Sequence, residues 1–152
     1  MLERIFPRSL DNDYRGWRTG LWLFGLVVAM KSLQSVAIIF NSWTTVRDAD
    51  GMPLDTYSPE ASANLVAIFA QSSLWRLTVC TIAVVVLIRY RSAVAVMFLA
   101  FIANYLAAQL LNLYHPLIKT GTPPGPWVNL AIFIVMVAGY VLAVLRQPRA
   151  KA

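Results

Sequence analysis

The sequence has few of the groups that carry out redox, metal or nucleophilic chemistry. It contains one cysteine, Cys80, and one histidine, His115, among 152 residues. A single cysteine excludes an intrachain disulfide, and a single histidine excludes a bis-His haem site within one chain. No His-Glu-x-x-His or Glu-x-x-His motif supplies zinc or di-iron ligands, and no Gly-x-Ser-x-Gly motif presents a nucleophile. We therefore predict no catalytic residue, no metal site and no cofactor.

Acidic residues are absent from the long apolar stretches. Asp and Glu number seven against 13 Lys and Arg, which gives a formal net charge of +6. Hydrophobic residues make up 59% of the chain, more than an ordinary soluble domain carries. This excess predicts a protein embedded in a lipid bilayer. The cations lie beside or within apolar runs rather than in a basic stripe interleaved with aromatics, so we expect anionic lipids as partners and no nucleic acid.

Four apolar stretches are long enough to cross a bilayer, whose hydrocarbon core needs about 20 helical residues. We predict helices at about residues 17–40, 63–88, 93–114 and 128–145, with an outer loop at 41–62. The runs are continuously apolar rather than alternating, and they are much longer than a membrane strand, so helices are favoured over strands. The expected fold is an all-α integral membrane four-helix bundle with up-down-up-down topology, forming a single transmembrane domain over residues 1–152.

The basic residues outside these helices predict the orientation. Nine would lie on the side of the two termini and two on the other side. The positive-inside rule then places both termini in the cytoplasm. The N-terminal stretch lacks the short apolar core and cleavage site of a signal peptide. We therefore expect a multi-pass protein of a bacterial inner (plasma) membrane. The nine are Arg4, Arg8, Arg15, Arg18, Arg89, Arg91, Arg146, Arg149 and Lys151; the two are Arg47 and Lys119.

Residues near the predicted membrane boundaries suggest three local roles. Any of the residues from Asp11 to Asp13 could cap the first helix. Basic side chains at the inner boundary are expected to hold anionic lipid headgroups: Arg15, Arg18, Arg89 and Arg91. Small residues should permit close helix approach, and we expect them to pack within the chain: Gly16, Gly20, Ala100, Ala103, Ala107, Gly139 and Ala143.

Two cations lie deep inside the predicted helices. Lys31 and Arg76 lie roughly 14 and 17 Å from the outer ends of their apolar runs, from the helical rise. Intramembrane ionisable groups usually face the bundle interior or a wet cavity. We expect a polar seam between helices one, two and three, and we take it as the candidate ligand-binding site. Its residues are Lys31, Gln34, Arg76, Asn104, Gln109 and Asn112.

The sequence leaves the partner of these cations open, because no acid lies within a crossing. One source of counter-charge is the acidic outer loop folding inward. Others are a carboxylate on a partner helix, a lipid phosphate, a diffusible anion, or deprotonation of Lys31. Amides, carbonyls and water could equally satisfy both cations within the bundle.

Three functions are compatible with this composition. The leading interpretation is a non-enzymatic accessory or assembly protein whose seam packs its own helices and docks a partner membrane protein with an intramembrane acid. The second is a small carrier or channel subunit, assembled as a homo-oligomer, that binds an anion or anionic lipid through Lys31 and Arg76. The third is a membrane enzyme acting on a lipid.

Overall fold

The computed structural model describes residues 5–7 and 9–145, and this part of the chain is helical without any strand. Four long helices dominate it: α1 (Arg18–Phe40), α2 (Pro59–Arg89), α3 (Val94–Tyr114) and α4 (Gly125–Val144). All four are long and apolar enough to cross a membrane. The predicted all-α fold with four apolar helices is therefore confirmed.

Local signals explain where the helices begin. α2 starts about one turn earlier than predicted, because Ser58 caps it by accepting a 3.3 Å hydrogen bond from the backbone of Ala61 and Pro59 favours the first helical position. The N-cap of α1 is Trp17, and no side chain caps this helix. The prediction that a residue from 11 to 13 caps it was wrong, because the helix starts only at Arg18.

Hydrogen bonds bring the N-terminal segment to one end of the bundle, which we call the N-terminal end. The backbone N–H of Trp17 donates to the carbonyl of Leu142, near the end of α4, over 3.0 Å. Asp11 and Ser92, in the α2–α3 turn, exchange three hydrogen bonds of 2.9 to 3.2 Å. Five cations used to predict orientation lie outside the described residues: Arg4, Arg8, Arg146, Arg149 and Lys151.

The opposite end, which we call the loop end, is formed by two connections that contact each other. Thr120, between α3 and α4, donates to the carbonyl of Gly51 from its backbone N–H (2.8 Å) and from its hydroxyl (3.2 Å). Gly51 has a φ of +73°, a conformation that favours glycine. The α1–α2 loop also has a small core of its own, in which Val46, Met52 and Leu54 pack against the first turns of α2.

The main core draws on all four helices, but not all helix pairs pack equally closely. α1 packs along α2 and α4, and α3 packs mainly on α4. Phe24 of α1 makes an edge-to-face contact with Phe98 of α3, with ring centroids 5.1 Å apart. The other fully or nearly buried members come from all four helices, among them Val27, Val28, Cys80, Ala83, Val94, Ala95, Ile132 and Met136.

Close packing of small residues occurs between α1 and α4 and the segments that lead to them. A Cβ atom added to Gly16 would lie 2.6 Å from the carbonyl oxygen of Ala143, and one added to Gly20 would lie 3.3 Å from that of Gly139. These contacts agree with the expected intrachain packing. The alanines of α3 at positions 100, 103 and 107 are exposed instead.

The half of α3 nearest the loop end has little cover. From Ala103 to Tyr114 every residue is exposed except Tyr105, which is partly buried. The Tyr105 ring stacks on Phe133 of α4 with centroids 4.4 Å apart. This half of α3 therefore offers most of its surface to the surroundings of the bundle.

Candidate functional site: the intramembrane cations

Lys31 is joined to α4 by a direct hydrogen bond. Its Nζ donates to Oδ1 of Asn129 over 2.8 Å, and its side chain is half-buried. Helical spacing puts Lys31 on the same face as Phe24, Val28 and Ser35, which are buried. Asn129 was not among the predicted site residues. Its signal in the sequence is that it is the one carboxamide in the otherwise apolar α4.

Arg76 has no comparable partner. It lies near the middle of α2, is exposed, and makes no hydrogen bond or ion pair within the described residues. Its spacing of three and four residues from the buried Ser73 and Cys80 places it beside the packed face of the helix. It also lies within electrostatic range of Lys31.

The outer loop brings one acid towards these cations. Asp50 is partly buried, and burial raises the pKa of its carboxyl above the usual 3.8, while Arg76 and Lys119 act in the opposite direction. Its Oδ1 lies 3.0 Å from where a Cβ on Gly125 would be, at the first residue of α4. The positive end of the α4 dipole favours an anion there. Of the counter-charges considered, the acidic loop thus places a carboxylate within range of Arg76, though not at ion-pair distance.

Two polar atoms near the cations are left without partners. Gln34 Oε1 and Ser73 Oγ are buried and make no hydrogen bond within the described part of the chain. A buried polar atom without a partner costs about 1–3 kcal/mol. Cys80 is also buried here, with Ser32 beside it. Side chains from α1, α2 and α4 therefore form the polar region at the level of Lys31.

The amides of α3 do not join this region. Asn104, Gln109 and Asn112 are all exposed. The contact found for them is a 3.4 Å hydrogen bond from the backbone of Leu117 to Oδ1 of Asn112, close to the end of the helix. The expected seam thus differs in its third member: the structure places α4, through Asn129, where the sequence suggested helix three.

The four arginines expected at lipid headgroups differ in their pairing. Arg15 forms ion pairs with Asp11 (3.8 Å) and Asp13 (3.3 Å), and Arg91 donates from Nε to the carbonyl of Leu87 over 3.1 Å. Arg18 and Arg89 are exposed and make no hydrogen bond or ion pair within the described residues.

Comparisons with known proteins add no functional assignment to this geometry. No protein family, curated protein or solved structure matches the chain.

Proposed function

We propose that this protein is a non-enzymatic accessory or assembly protein of a bacterial inner membrane, and that it docks a partner's transmembrane helix carrying an Asp or Glu beside Arg76. In this arrangement the four helices run up-down-up-down with both termini in the cytoplasm. The positive-inside distribution supports that orientation. The hydrogen bonds that bring Trp17, Ser92 and the end of α4 together support placing both ends of the bundle's chain on one side of the membrane.

The observation that carries the proposal is the unpaired guanidinium of Arg76. A charge within the hydrocarbon region is costly, and such groups pair with an opposite charge, with backbone carbonyls or with water. Lys31 has Asn129, but Arg76 has no bonded partner in the described part of the chain. A carboxylate from a second protein would satisfy it and would also fix the register between the two helices.

The exposed half of α3, from Ala103 to Tyr114, supports docking of a partner helix rather than a protein that functions as a lone monomer. It exposes three carboxamides along a predicted membrane crossing, at Asn104, Gln109 and Asn112. Amide side chains form hydrogen bonds between helices in membranes, each worth about 0.6 to 2 kcal/mol. A partner helix would cover amides that otherwise face acyl chains.

Co-purification from the native membrane tests this proposal. The tagged chain, solubilised in mild detergent, should retain a membrane protein with an intramembrane Asp or Glu. Arg76→Met should lose that protein, while Lys119→Met, which removes an exposed cation from the α3–α4 connection, should keep it. Changing the partner's acid to Asn should have the same effect as Arg76→Met. A stable lone monomer after chemical crosslinking in intact membranes would overturn the proposal.

A second function is that of a small oligomeric carrier or channel subunit. It is favoured by a series of polar side chains, namely Asp50, Arg76, Lys31 and Asn129. These groups extend from the outer loop into the bundle. If this function holds, the purified chain in liposomes takes up or binds a small anion, and Lys31→Met and Arg76→Met both lose that activity while remaining folded. Unchanged uptake in both variants would remove this alternative.

A further inference from the structure

A cleft at the N-terminal end of the bundle lies away from the intramembrane cations. Its volume is about 430 Å³. It is lined by two residues of the N-terminal segment and by three at and just after the end of α2: Leu10, Asn12, Ile88, Arg89 and Tyr90. This volume is in the range of small-molecule sites in proteins. The cleft is open, so a ligand held partly in the surrounding membrane could enter it.

The walls of this cleft are fixed by hydrogen bonds. Ser92 accepts from the backbone of Asp11 (3.0 Å) and donates from its hydroxyl to the Asp11 carbonyl (2.9 Å). Because Asp11 lies between the lining residues Leu10 and Asn12, these bonds hold one wall against the other. Trp17 anchors the same segment to α4 through Leu142. The N-terminal segment is therefore a built part of the cleft.

Charge pairing singles out one cation for this cleft. Arg15 is neutralised by Asp11 and Asp13, and Arg91 is bonded to the Leu87 carbonyl. Arg89 lines the cleft and has no bonded partner within the described residues. Asp11 and Asp13, the acids of the N-terminal segment within the described residues, are thus already engaged by Arg15, and Arg89 has no bonded acid there.

The remaining lining residues combine polar and apolar character. The amide of Asn12 and the phenol of Tyr90 can donate hydrogen bonds. Leu10 and Ile88 expose 62% and 64% of their surfaces. A free inorganic anion would gain nothing from these exposed apolar side chains. A phospholipid has both a phosphate for the polar groups and an acyl chain for the apolar ones.

We propose that this cleft is a binding site for an anionic phospholipid, with Arg89 and Asn12 holding its phosphate and with Leu10 and Ile88 contacting the first methylenes of its acyl chains. The location agrees with this ligand, because Arg89 ends a helix long enough to span the membrane and therefore lies at headgroup level. Basic side chains at the membrane surface attract anionic headgroups. This site does not depend on which group pairs with Arg76.

The position of the cleft at a helix C-terminus opposes anion binding. The C-terminal end of a helix carries partial negative charge, which disfavours a nearby phosphate. The Nε bond of Arg91 offsets this at the Leu87 carbonyl. Without the Arg89 guanidinium the cleft would repel a phosphate, so binding should depend strongly on this one side chain.

The experiment uses the full chain in phosphatidylcholine nanodiscs with increasing fractions of phosphatidylglycerol. We expect phosphatidylglycerol to raise the thermal unfolding midpoint and to be retained in native mass spectrometry. Arg89→Gln should weaken retention by more than about fivefold, the factor for any one basic residue near an anionic surface. Lys119→Gln, which removes an exposed cation at the loop end, should weaken retention by about fivefold or less. Equal losses in both variants would overturn the site, since they indicate general surface attraction.

Two further measurements distinguish a bound phospholipid from a bound inorganic anion. Leu10→Ser should reduce phosphatidylglycerol retention because it removes the apolar contact, and it remains informative if Arg89→Gln does not fold. Inorganic phosphate, added to the phosphatidylcholine nanodiscs, should produce no shift in the unfolding midpoint. A shift with phosphate equal to that with phosphatidylglycerol, unaffected by Leu10→Ser, would assign the cleft to free phosphate and overturn the lipid proposal.

Discussion

The ammonium group of Lys31 donates a 2.8 Å hydrogen bond to the side chain of Asn129, which lies 98 positions further along the chain. This bond joins α1 to α4 within the predicted membrane region, where few competing partners are available. It gives one of the two deep cations a partner, whereas the other, Arg76, has no bonded partner in the described part of the chain.

The Lys31–Asn129 bond predicts energetic coupling between the two positions. We expect Lys31→Met and Asn129→Leu each to lower the free energy of unfolding, and the double variant to lower it by about 1–2 kcal/mol less than the sum. The measurement is reversible unfolding in mixed micelles. Asn112→Leu, which changes an exposed amide on α3, should show no coupling to Lys31→Met. Additive effects at 31 and 129 would contradict the bond.

We expect glycine-to-alanine substitution to have opposite effects on stability at two positions, Gly139 and Gly25. A Cβ at Gly139 would clash with the ring of Phe98, whereas one at Gly25 would meet Leu87 Cδ2 at 3.6 Å, an ordinary contact. Gly139→Ala should therefore destabilise the bundle by about 1–3 kcal/mol. Gly25→Ala should be neutral or stabilising by up to about 1 kcal/mol, because alanine favours helix. Thermal unfolding of the two variants in one detergent distinguishes these outcomes, and equal effects would argue against the α3–α4 packing.

We expect that removing the hydroxyl of Tyr14 does not lower the free energy of unfolding. Its hydroxyl is buried without a hydrogen bond within the described residues, and burial raises its pKa to about 12. Tyr14→Phe removes an unpaired polar atom and keeps the ring, so the free energy of unfolding should stay constant or rise, by up to about 1–3 kcal/mol. Tyr14→Ala should lower it, because the packing is lost. Clear destabilisation by Tyr14→Phe would indicate that the hydroxyl has a partner.

Asp50 predicts a pH dependence of stability. Because burial raises its pKa above 3.8 in the folded protein, the folded state binds the proton more tightly than the unfolded state. The free energy of unfolding should therefore fall as pH rises from 3.8 through the folded pKa, and then level off. Asp50→Asn should remove this fall, whereas Asp55→Asn, at an exposed position in the same loop, should preserve it. Stability that rises over this range in a manner dependent on Asp50 would show that the attraction of Arg76 and Lys119 outweighs burial.

The four helices could be predicted from sequence because apolar length is a local property of each segment. The predicted start of α2 was about one turn late because the prediction followed apolar length. The helix instead begins at the cap formed by Ser58 and Pro59 and includes the polar residues that follow them. The error in capping α1 has a similar origin: the residues from 11 to 13 are good caps by type, but the backbone at Asp11 is bonded to Ser92 instead.

The partners of the deep cations could be predicted only in part. The depth and mutual proximity of Lys31 and Arg76 follow from counting residues along two helices. Which helix supplies the third side depends on packing. Tight glycine contacts bring α4 alongside α1, whereas α3 meets α1 through Phe98 and Phe24. The exposed amides of α3 and the Lys31 bond to Asn129 both follow from that choice, which no local pattern indicates.

The separation of Lys31 from Asn129 has a consequence for biosynthesis. At about 5–20 residues per second, a ribosome needs roughly 5–20 s to add the 98 residues that follow Lys31 up to and including Asn129. During this interval the ammonium group has no carboxamide to bind, and α1 must be retained by its apolar side chains alone. Synthesis of α4, rather than insertion of α1, therefore determines when the Lys31 ammonium gains a hydrogen-bond partner within the protein.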